Sequence, residues 1–210
     1  GYKRYNARLN LSHKVNDRLT LEMTTAFTRN DFREHAYWTN WIIEQANRMP
    51  AIYEIKNPDG TYTYPSGSNS NALQRLEQGG YRRQENDDLS GSLKADFEIM
   101  KGWKLIGTIG GRINNNLQHE NRKAFEGTGD AENHIAESFY RAKDITANIM
   151  TTYNKTWGEH NFGALVGYSY EGFSDKSFST QRITDNSKYD ILVGGLPGDK
   201  VSNSGSAADW

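Results

Sequence analysis

Between Lys143 and Glu171 apolar and polar side chains change places at almost every step. In the first arm Ile145, Ala147, Ile149, Thr151 and Tyr153 share one parity and Asp144, Thr146, Asn148, Thr152 and Asn154 the other, with Met150 out of phase. In the second, Phe162, Ala164, Val166, Tyr168 and Tyr170 oppose Asn161, Gly163, Gly167, Ser169 and Glu171, with Leu165 out of phase. A period of two describes a strand with one apolar and one wet face. Trp157-Gly158-Glu159-His160 reads as the tight turn between the arms. Strands of soluble sandwiches run about five to six residues, whereas a tilted strand crossing a bilayer needs about nine to eleven. These arms fit the longer class.

The same device occurs twice more. Ala7, Leu9 and Leu11 alternate with Asn6, Arg8, Asn10 and Ser12; Val15-Asn16-Asp17-Arg18 turns the chain; Leu19, Leu21, Met23, Thr25 and Phe27 then oppose Thr20, Glu22, Thr24 and Thr28. Leu89, Gly91, Leu93, Ala95, Phe97 and Ile99 oppose Ser90, Ser92, Lys94, Asp96 and Glu98, and Met100-Lys101-Gly102 is the next turn. Trp103, Leu105, Gly107, Ile109, Gly111 and Ile113 follow against Lys104, Thr108, Arg112 and Asn114, with Ile106 out of phase. The pattern predicts hairpins over residues 1–30, 85–115 and 140–172, joined by long polar connections at 31–84 and 116–139. A last one, 173–210, is expected to run as loop up to Trp210, where a seventh strand would begin. Short turns at one end and long loops at the other are the asymmetry of bacterial outer-membrane barrels. The expected fold is therefore all-β: an antiparallel transmembrane β-barrel segment of about six long strands, with short periplasmic turns and long extracellular loops.

On that reading Leu9, Leu21, Leu93, Phe97, Ile109, Ile145, Ile149, Phe162 and Val166 face lipid, and Arg8, Glu22, Lys94, Asp96, Arg112 and Asn148 face the lumen. Trp103, Trp157 and Phe162 near the short turns, with Phe27, Tyr168 and Tyr170 toward the loops, suit interfacial aromatic girdles. The connection 31–84 is too long for a structureless link inside a compact soluble domain. Within it Trp38–Met49 reads as a short helix ended by Pro50, Asn57-Pro58-Asp59-Gly60 as a small hairpin turn, Ser66–Asn71 as flexible by composition, and Ala72–Gln78 as a helical turn ended by Gly79-Gly80. Its aromatic residues can stack on sugar faces or anchor a partner, so Trp38, Trp41, Tyr53, Tyr62 and Tyr64 are the candidate contacts with substrate or partner.

Composition removes several classes. The chain is 35% hydrophobic with a mean hydropathy of −0.85. No apolar run reaches the roughly 18 residues of a membrane helix, while a barrel strand needs an apolar residue only at every second position. A net charge of −1 lacks the basic face of a nucleic-acid binder. Gly110-Gly111 sits mid-strand with no following helix, so it is no dinucleotide or phosphate loop. Without cysteine there is neither disulfide nor thiolate chemistry. His13, His35, His119, His134 and His160 have no metal-ligand spacing. Asp96 and Glu98 share the solvated face of a strand rather than forming a general-acid pair, and no serine sits in a nucleophile elbow. The chain reads as a non-enzyme without cofactor.

Several strings carry a resemblance to a known family: Arg48-Met49-Pro50-Ala51-Ile52-Tyr53 with Ile55-Lys56-Asn57-Pro58-Asp59-Gly60-Thr61-Tyr62, then Leu93-Lys94-Ala95-Asp96-Phe97-Glu98-Ile99, and Tyr153-Asn154-Lys155-Thr156-Trp157-Gly158-Glu159-His160-Asn161-Phe162. In order along the chain they resemble the barrel of the SusC/RagA family, the TonB-dependent outer-membrane transporters of Bacteroidetes. Gly205-Ser206-Ala207-Ala208-Asp209-Trp210 resembles the approach to a following strand of that barrel. The resemblance implies a barrel of about 22 strands, filled by an N-terminal plug and energised through TonB. It further implies nutrient uptake of glycans or peptides, as in polysaccharide utilisation, with a SusD-type lipoprotein as partner. Since a closed barrel needs about eight strands, residues 1–210 would be an internal piece of that barrel domain, without the plug or TonB box. Two readings from other classes remain: a soluble extracellular β-domain that binds carbohydrate through its aromatic loops, and an adhesin or passive porin wall. An enclosed core around Ile145, Ile149, Phe162 and Val166 would favour the soluble domain.

Overall fold

The computed structural model describes residues 1–64, 71–125, 132–184, 188, 190–192 and 201–209. In chain order the elements are β1 (Tyr2–Asn16), β2 (Leu19–His35), α1 (Thr39–Arg48), α2 (Ala72–Gln78), β3 (Gly80–Met100), β4 (Trp103–Arg122), β5 (Asn133–Trp157), β6 (His160–Thr184) and β7 (Val201–Asp209). The strands form one seven-stranded sheet in sequence order, every neighbouring pair antiparallel.

The short turns fall where glycine and asparagine predict them. Asn16 Oδ1 accepts from the amides of Arg18 (2.8 Å) and Leu19 (3.0 Å), which closes the β1–β2 link after a bulge at Lys14/Asn16. Gly102 takes φ +86° beside a bulge at Glu98/Met100, and Gly158 takes φ +57° at the first central position of the β5–β6 turn. With no positive φ at Glu159, the signs match a type II′ turn, whose twist suits the flanking strands.

Register puts the alternating residues into continuous rows. One row runs Leu11, Met23, Leu93, Ile109, Ala147, Tyr170; the next runs His13, Leu21, Ala95, Gly107, Ile149, Tyr168. All nine residues expected to face lipid lie on this one apolar face, and the six expected to face the lumen lie on the other. Along β4 the apolar band extends from Trp103 to Ile113, a length that a tilted strand needs for an apolar band of about 25 Å. The out-of-phase Ile106, Met150 and Leu165 sit on the polar face near the short turns, with Ile106 directly opposite Met150.

Among the described residues no second layer covers either face of this part of the sheet. A soluble domain buries its apolar faces between packed layers, yet the buried apolar residues among those described are only Ala36, Ile42 and Ile135. Ile149 is 51% exposed and Val166 69%. Among the described residues there is no enclosed core around Ile145, Ile149, Phe162 and Val166, as the soluble carbohydrate-binding reading required.

The strands outrun the alternation that predicted them. β2 continues to His35 and β3 begins at Gly80, so the connection expected over 31–84 is 36–79; β4 reaches Arg122 and β5 starts at Asn133, replacing 116–139 by 123–132. β6 runs to Thr184, and residues 201–209, expected as loop, form β7 against Ser174–Arg182 of β6. The sheet thus has seven strands where about six were expected. Beyond the apolar band neither face is wholly apolar, so alternation disappears, but pairing persists through cross-strand ion pairs and amides. Arg83 bonds Asp31 at 2.9 Å, and Asn114 donates to Asn86 at 3.1 Å. The flexible stretch expected at Ser66–Asn71 lies, but for Asn71, outside the described residues, as does Trp210.

Candidate functional site

The described parts of the connection, 36–64 and 71–79, fold onto the polar face at the loop end of the sheet, where Trp38 lies over Arg82. α1 ends at Arg48, before Pro50, and buries Ile42. Its neighbour α2 is capped by Asn71, whose Oδ1 accepts from Leu73 N (3.0 Å) and Gln74 N (3.2 Å). The Nδ2 of Asn71 donates to the carbonyls of Ile55 (2.8 Å) and Thr63 (3.0 Å), so one fully buried side chain ties the helix to both arms of the small hairpin. That hairpin turns at Gly60 (φ +86°), as the Asn-Pro-Asp-Gly string predicts, with Lys56 bridged to Tyr62.

The candidate aromatic residues divide. Trp41 lies under the Arg75 guanidinium, 4.2 Å from its ring centroid, beside Tyr37 at 6.3 Å. Tyr62 hydrogen-bonds Glu77, and Tyr64 hydrogen-bonds Gln74. These three therefore hold the loop together. Trp38 is 65% exposed while stacking on the Arg82 guanidinium, 4.4 Å from centroid to Cζ, which fixes the start of the loop to the wall. Tyr53 stands exposed beside Ile52 at the far end of α1. Of the five, Trp38 and Tyr53 are the best placed to meet an incoming molecule.

Charge sets the stiffness of this cap. Lys56 Nζ donates to Glu77 Oε2 at 2.8 Å. That ammonium, and then the Tyr62 hydroxyl, hold the Glu77 carboxyl below its usual range, and Glu77 in turn raises Lys56. On the opposite face Asp190 receives Tyr81, His119 (2.9 Å) and Asn121 (2.6 Å). Burial alone would raise its pKa, but these hydrogen bonds outweigh it and the net shift is downward.

Below the cap, the polar face carries a groove of about 710 Å³ lined by Tyr2, Asn30, Phe32, Gln84, Asn86, Arg112, Asn114, Asn116, Ala142 and Asp144. Asn114 Nδ2 donates to Asn86 (3.1 Å) and Asp88 (3.2 Å), Tyr2 donates to Asn30 (2.7 Å), and Arg112 Nε donates to Asp88 (2.7 Å). Nearer the turns Lys94 pairs with Glu22 at 3.1 Å and Lys104 with Asp96 at 3.9 Å. Of the six residues expected on the lumen side only Arg112 borders the groove; Arg8, Glu22, Lys94, Asp96 and Asn148 share its face elsewhere. Alternation places Asn114 on the polar face of β4 but not Asn30, Gln84, Asn86 or Asn116, although the run Asn114-Asn115-Asn116 continues the polar parity of β4 beyond its last apolar band residue. Amide side chains donate and accept at once, so the row can exchange hydrogen bonds with sugar hydroxyls or peptide groups.

No family model matches the chain. A TonB-dependent receptor, P3, of Formosa agariphila is 27% identical over 160 residues, which are 73% of this chain and 16% of the receptor. The RagAB peptide importer in its closed-closed state superposes with a TM-score of 0.80 at 17% identity, covering 99% of this chain and 24% of the importer chain. Its open-open state gives 0.82 at 18% identity with the same coverage. The chain spans less than a quarter of the length of each. In sequence the chain is thus similar to part of a TonB-dependent receptor, and over almost every residue it has the fold of a stretch of the RagAB importer, an open antiparallel sheet of barrel-wall strands.

Proposed function

We propose that this chain is wall and external cap of an importer that carries glycans or peptides across the outer membrane, energised through TonB, with a SusD-type lipoprotein as partner. The hairpins over 1–30, 85–115 and 140–172 cross the membrane with their turns in the periplasm, and the loops lie outside. The apolar face, with Leu9, Leu21, Leu93, Phe97, Ile109, Ile145, Ile149, Phe162 and Val166, meets lipid; the face of Arg8, Glu22, Lys94, Asp96, Arg112 and Asn148 lines the lumen. Cargo passes along the amide groove, and Trp38 and Tyr53 contact cargo or the lipoprotein.

The observation that carries this reading is the folded cap of residues 36–64 and 71–79, seated over an amide-lined groove on one face while the opposite face carries a mostly apolar band. A passive wall has no need of a cap pinned at Trp38 and clamped at Glu77. The peptide importer whose fold it shares supports peptide as one cargo class.

The test is uptake by cells whose full receptor lacks residues 38–64, measured with labelled oligosaccharides and oligopeptides after fractionation shows the receptor in the outer membrane. Uptake should fall at least tenfold with the barrel still folded. Unchanged uptake, or a parent protein found in the soluble fraction, overturns the reading.

A further inference from the structure

Beyond the apolar band, on the same face, the two halves of the sheet treat charge differently. Across β2 and β3 two cations are matched by carboxylates, Arg29 with Glu85 and Asp87 and Arg83 with Asp31 and Glu85, while Arg33 lies over the Tyr81 ring at 4.0 Å. Across β5 and β6 they are not. Arg141 and Lys176 face each other, and Lys143 stands one step nearer the band. All three are exposed, and among the described residues none has a carboxylate partner. Arg141 Nε donates only to the Asn115 amide oxygen, at 2.7 Å. Of the acids of this face Asp87 is engaged by Arg29 and Glu137 by His119 at 3.3 Å, while Asp209 on β7, across Ser174 from Lys143, borders the same cavity as that lysine and leaves the cluster net cationic.

Two further features flank these cations along the strand direction. Toward the membrane lies a cavity of about 800 Å³ bordered by Leu89, Gly111, Ile113, Ile145 and Tyr170, with Lys143 at its rim. Away from it stand Phe139 and Phe178, ring centroids 5.4 Å apart, with the Arg141 guanidinium 5.2 Å from the Phe139 ring. Apolar cavity, cations and aromatic shelf adjoin one another, as do the parts of an anionic glycolipid whose sugar carries both acyl chains and phosphate.

We propose that Arg141, Lys143 and Lys176 bind the phosphorylated headgroup of an outer-leaflet glycolipid of the lipid A type, with an acyl chain in the cavity and a sugar ring against Phe139 and Phe178. This rests on the reading that the apolar face meets lipid with the long loops outside. Charge decides between lipids: a zwitterionic phospholipid brings its own ammonium to an already cationic patch, whereas a glycolipid phosphate is net negative and forms charge-assisted hydrogen bonds with lysine and arginine. Near a membrane surface each such cation contributes about fivefold in affinity.

The experiment uses the full receptor purified from outer membranes in detergent, titrated with lipid A bearing its phosphates or stripped of them and read by native mass spectrometry. R141Q/K143Q/K176Q should weaken binding of phosphorylated lipid A on the order of 100-fold, and the swap R141K/K143R/K176R should restore most of it. The polar-face variant R8Q/K14Q/K94Q, which loses the same charge, should bind as wild type. Should the triple variant not fold, K143Q alone is expected to cost about fivefold. Binding within twofold of wild type in the neutralised receptor, or equal binding of stripped lipid A, overturns the site and leaves the transporter reading intact. A receptor absent from the membrane fraction overturns both.

Discussion

Arg82 and Glu120 face each other on β3 and β4, joined by Nε and Nη2 of the guanidinium to one carboxylate oxygen at 2.9 and 2.8 Å. Both side chains are only 9% exposed, and Arg122 holds the other oxygen at 2.8 Å. With Trp38 stacked on the same guanidinium, this pair joins the cap to the wall. Replacing Arg82 by alanine leaves Glu120 to Arg122 alone and removes two charge-assisted hydrogen bonds, at a cost of about 1.5–3 kcal/mol. Because the pair lies beyond the apolar band, the loss should be local: the receptor still migrates as a folded barrel, while residues 36–64 become cleavable by added protease in intact cells. R82L/E120L, which removes both charges, should recover wall stability without restoring protection of the cap.

Glycines should rank by geometry rather than by position in a turn. A Cβ at Gly102 would sit 2.2 Å from the Asn154 carbonyl oxygen at φ +86°, and one at Gly80 1.9 Å from that of Asn121 at the same φ. At Gly158 (φ +57°) nothing lies within 4 Å, and at Gly107 nothing does with no left-handed φ to oppose. G102A and G80A should therefore impair folding strongly. G158A should cost about 1–2 kcal/mol of backbone strain, and G107A should be neutral. Heat-modifiable gel migration of the full receptor reads the order.

How far the sequence is legible depends on what constrains it. In the band, one face of the sheet is apolar at every second position of each strand, so alternation alone assigns Leu93, Ile109 and Ile149 to their face. Above the band that constraint lapses, and Arg83, Glu85 and His119 have the composition of loop although they are strand. β7 is hidden for a related reason: Val201–Asp209 is mostly serine, glycine and alanine and extends only by pairing with β6, where Ser177 and Ser179 meet Ser206 (2.9 Å) and Ser204 (2.6 Å). Among the site residues the tryptophans and tyrosines are visible as types. That Trp41, Tyr62 and Tyr64 turn inward depends on Arg75, Glu77 and Gln74, which nothing local in the sequence connects to them.

Charge introduced on the apolar face should be costly in proportion to depth. Ile149 lies opposite Gly107, midway along the band. I149R should destabilise the receptor in lipid by about 2–4 kcal/mol, falling to about 0–1 kcal/mol for W103R at its edge. N148R, next along the same strand but on the polar face, should leave stability within about 0.5 kcal/mol. Equilibrium unfolding in liposomes distinguishes the three, and equal losses at Ile149 and Asn148 would contradict the assignment of faces.

The clamp of Glu77 by Lys56 and Tyr62 makes the cap sensitive to acid. Its carboxyl titrates below the usual range when folded, so the stabilisation is present above the unfolded value and disappears as pH falls through the folded one. Lys56 is raised, so its share persists below the ordinary lysine value and is lost only in strong base. Hydrogen exchange of residues 51–64 should therefore be slow at neutral pH and accelerate as pH falls below the ordinary carboxylate range, after correction for intrinsic rates. In E77Q the fast exchange should already be present at neutral pH.

The amide groove should govern how tightly cargo is held during passage. Asn86 and Asn114 bond each other across β3 and β4, and Asn116 and Gln84 border the same groove, so a passing hydroxyl or peptide group meets four neutral side chains that both donate and accept. A hydrogen bond of this kind contributes about 0.5–1.5 kcal/mol, roughly two- to tenfold in affinity. N86A/N114A should raise the half-saturating cargo concentration by up to about tenfold per lost bond, with the maximal rate little changed where passage rather than capture limits it. The fold should survive, because the pair borders the groove and leaves no buried donor behind. Concentration-dependent uptake by cells with matched receptor levels is the measurement. An unchanged half-saturation with normal expression would move the site of cargo contact away from this groove and up to the cap, at Trp38 and Tyr53.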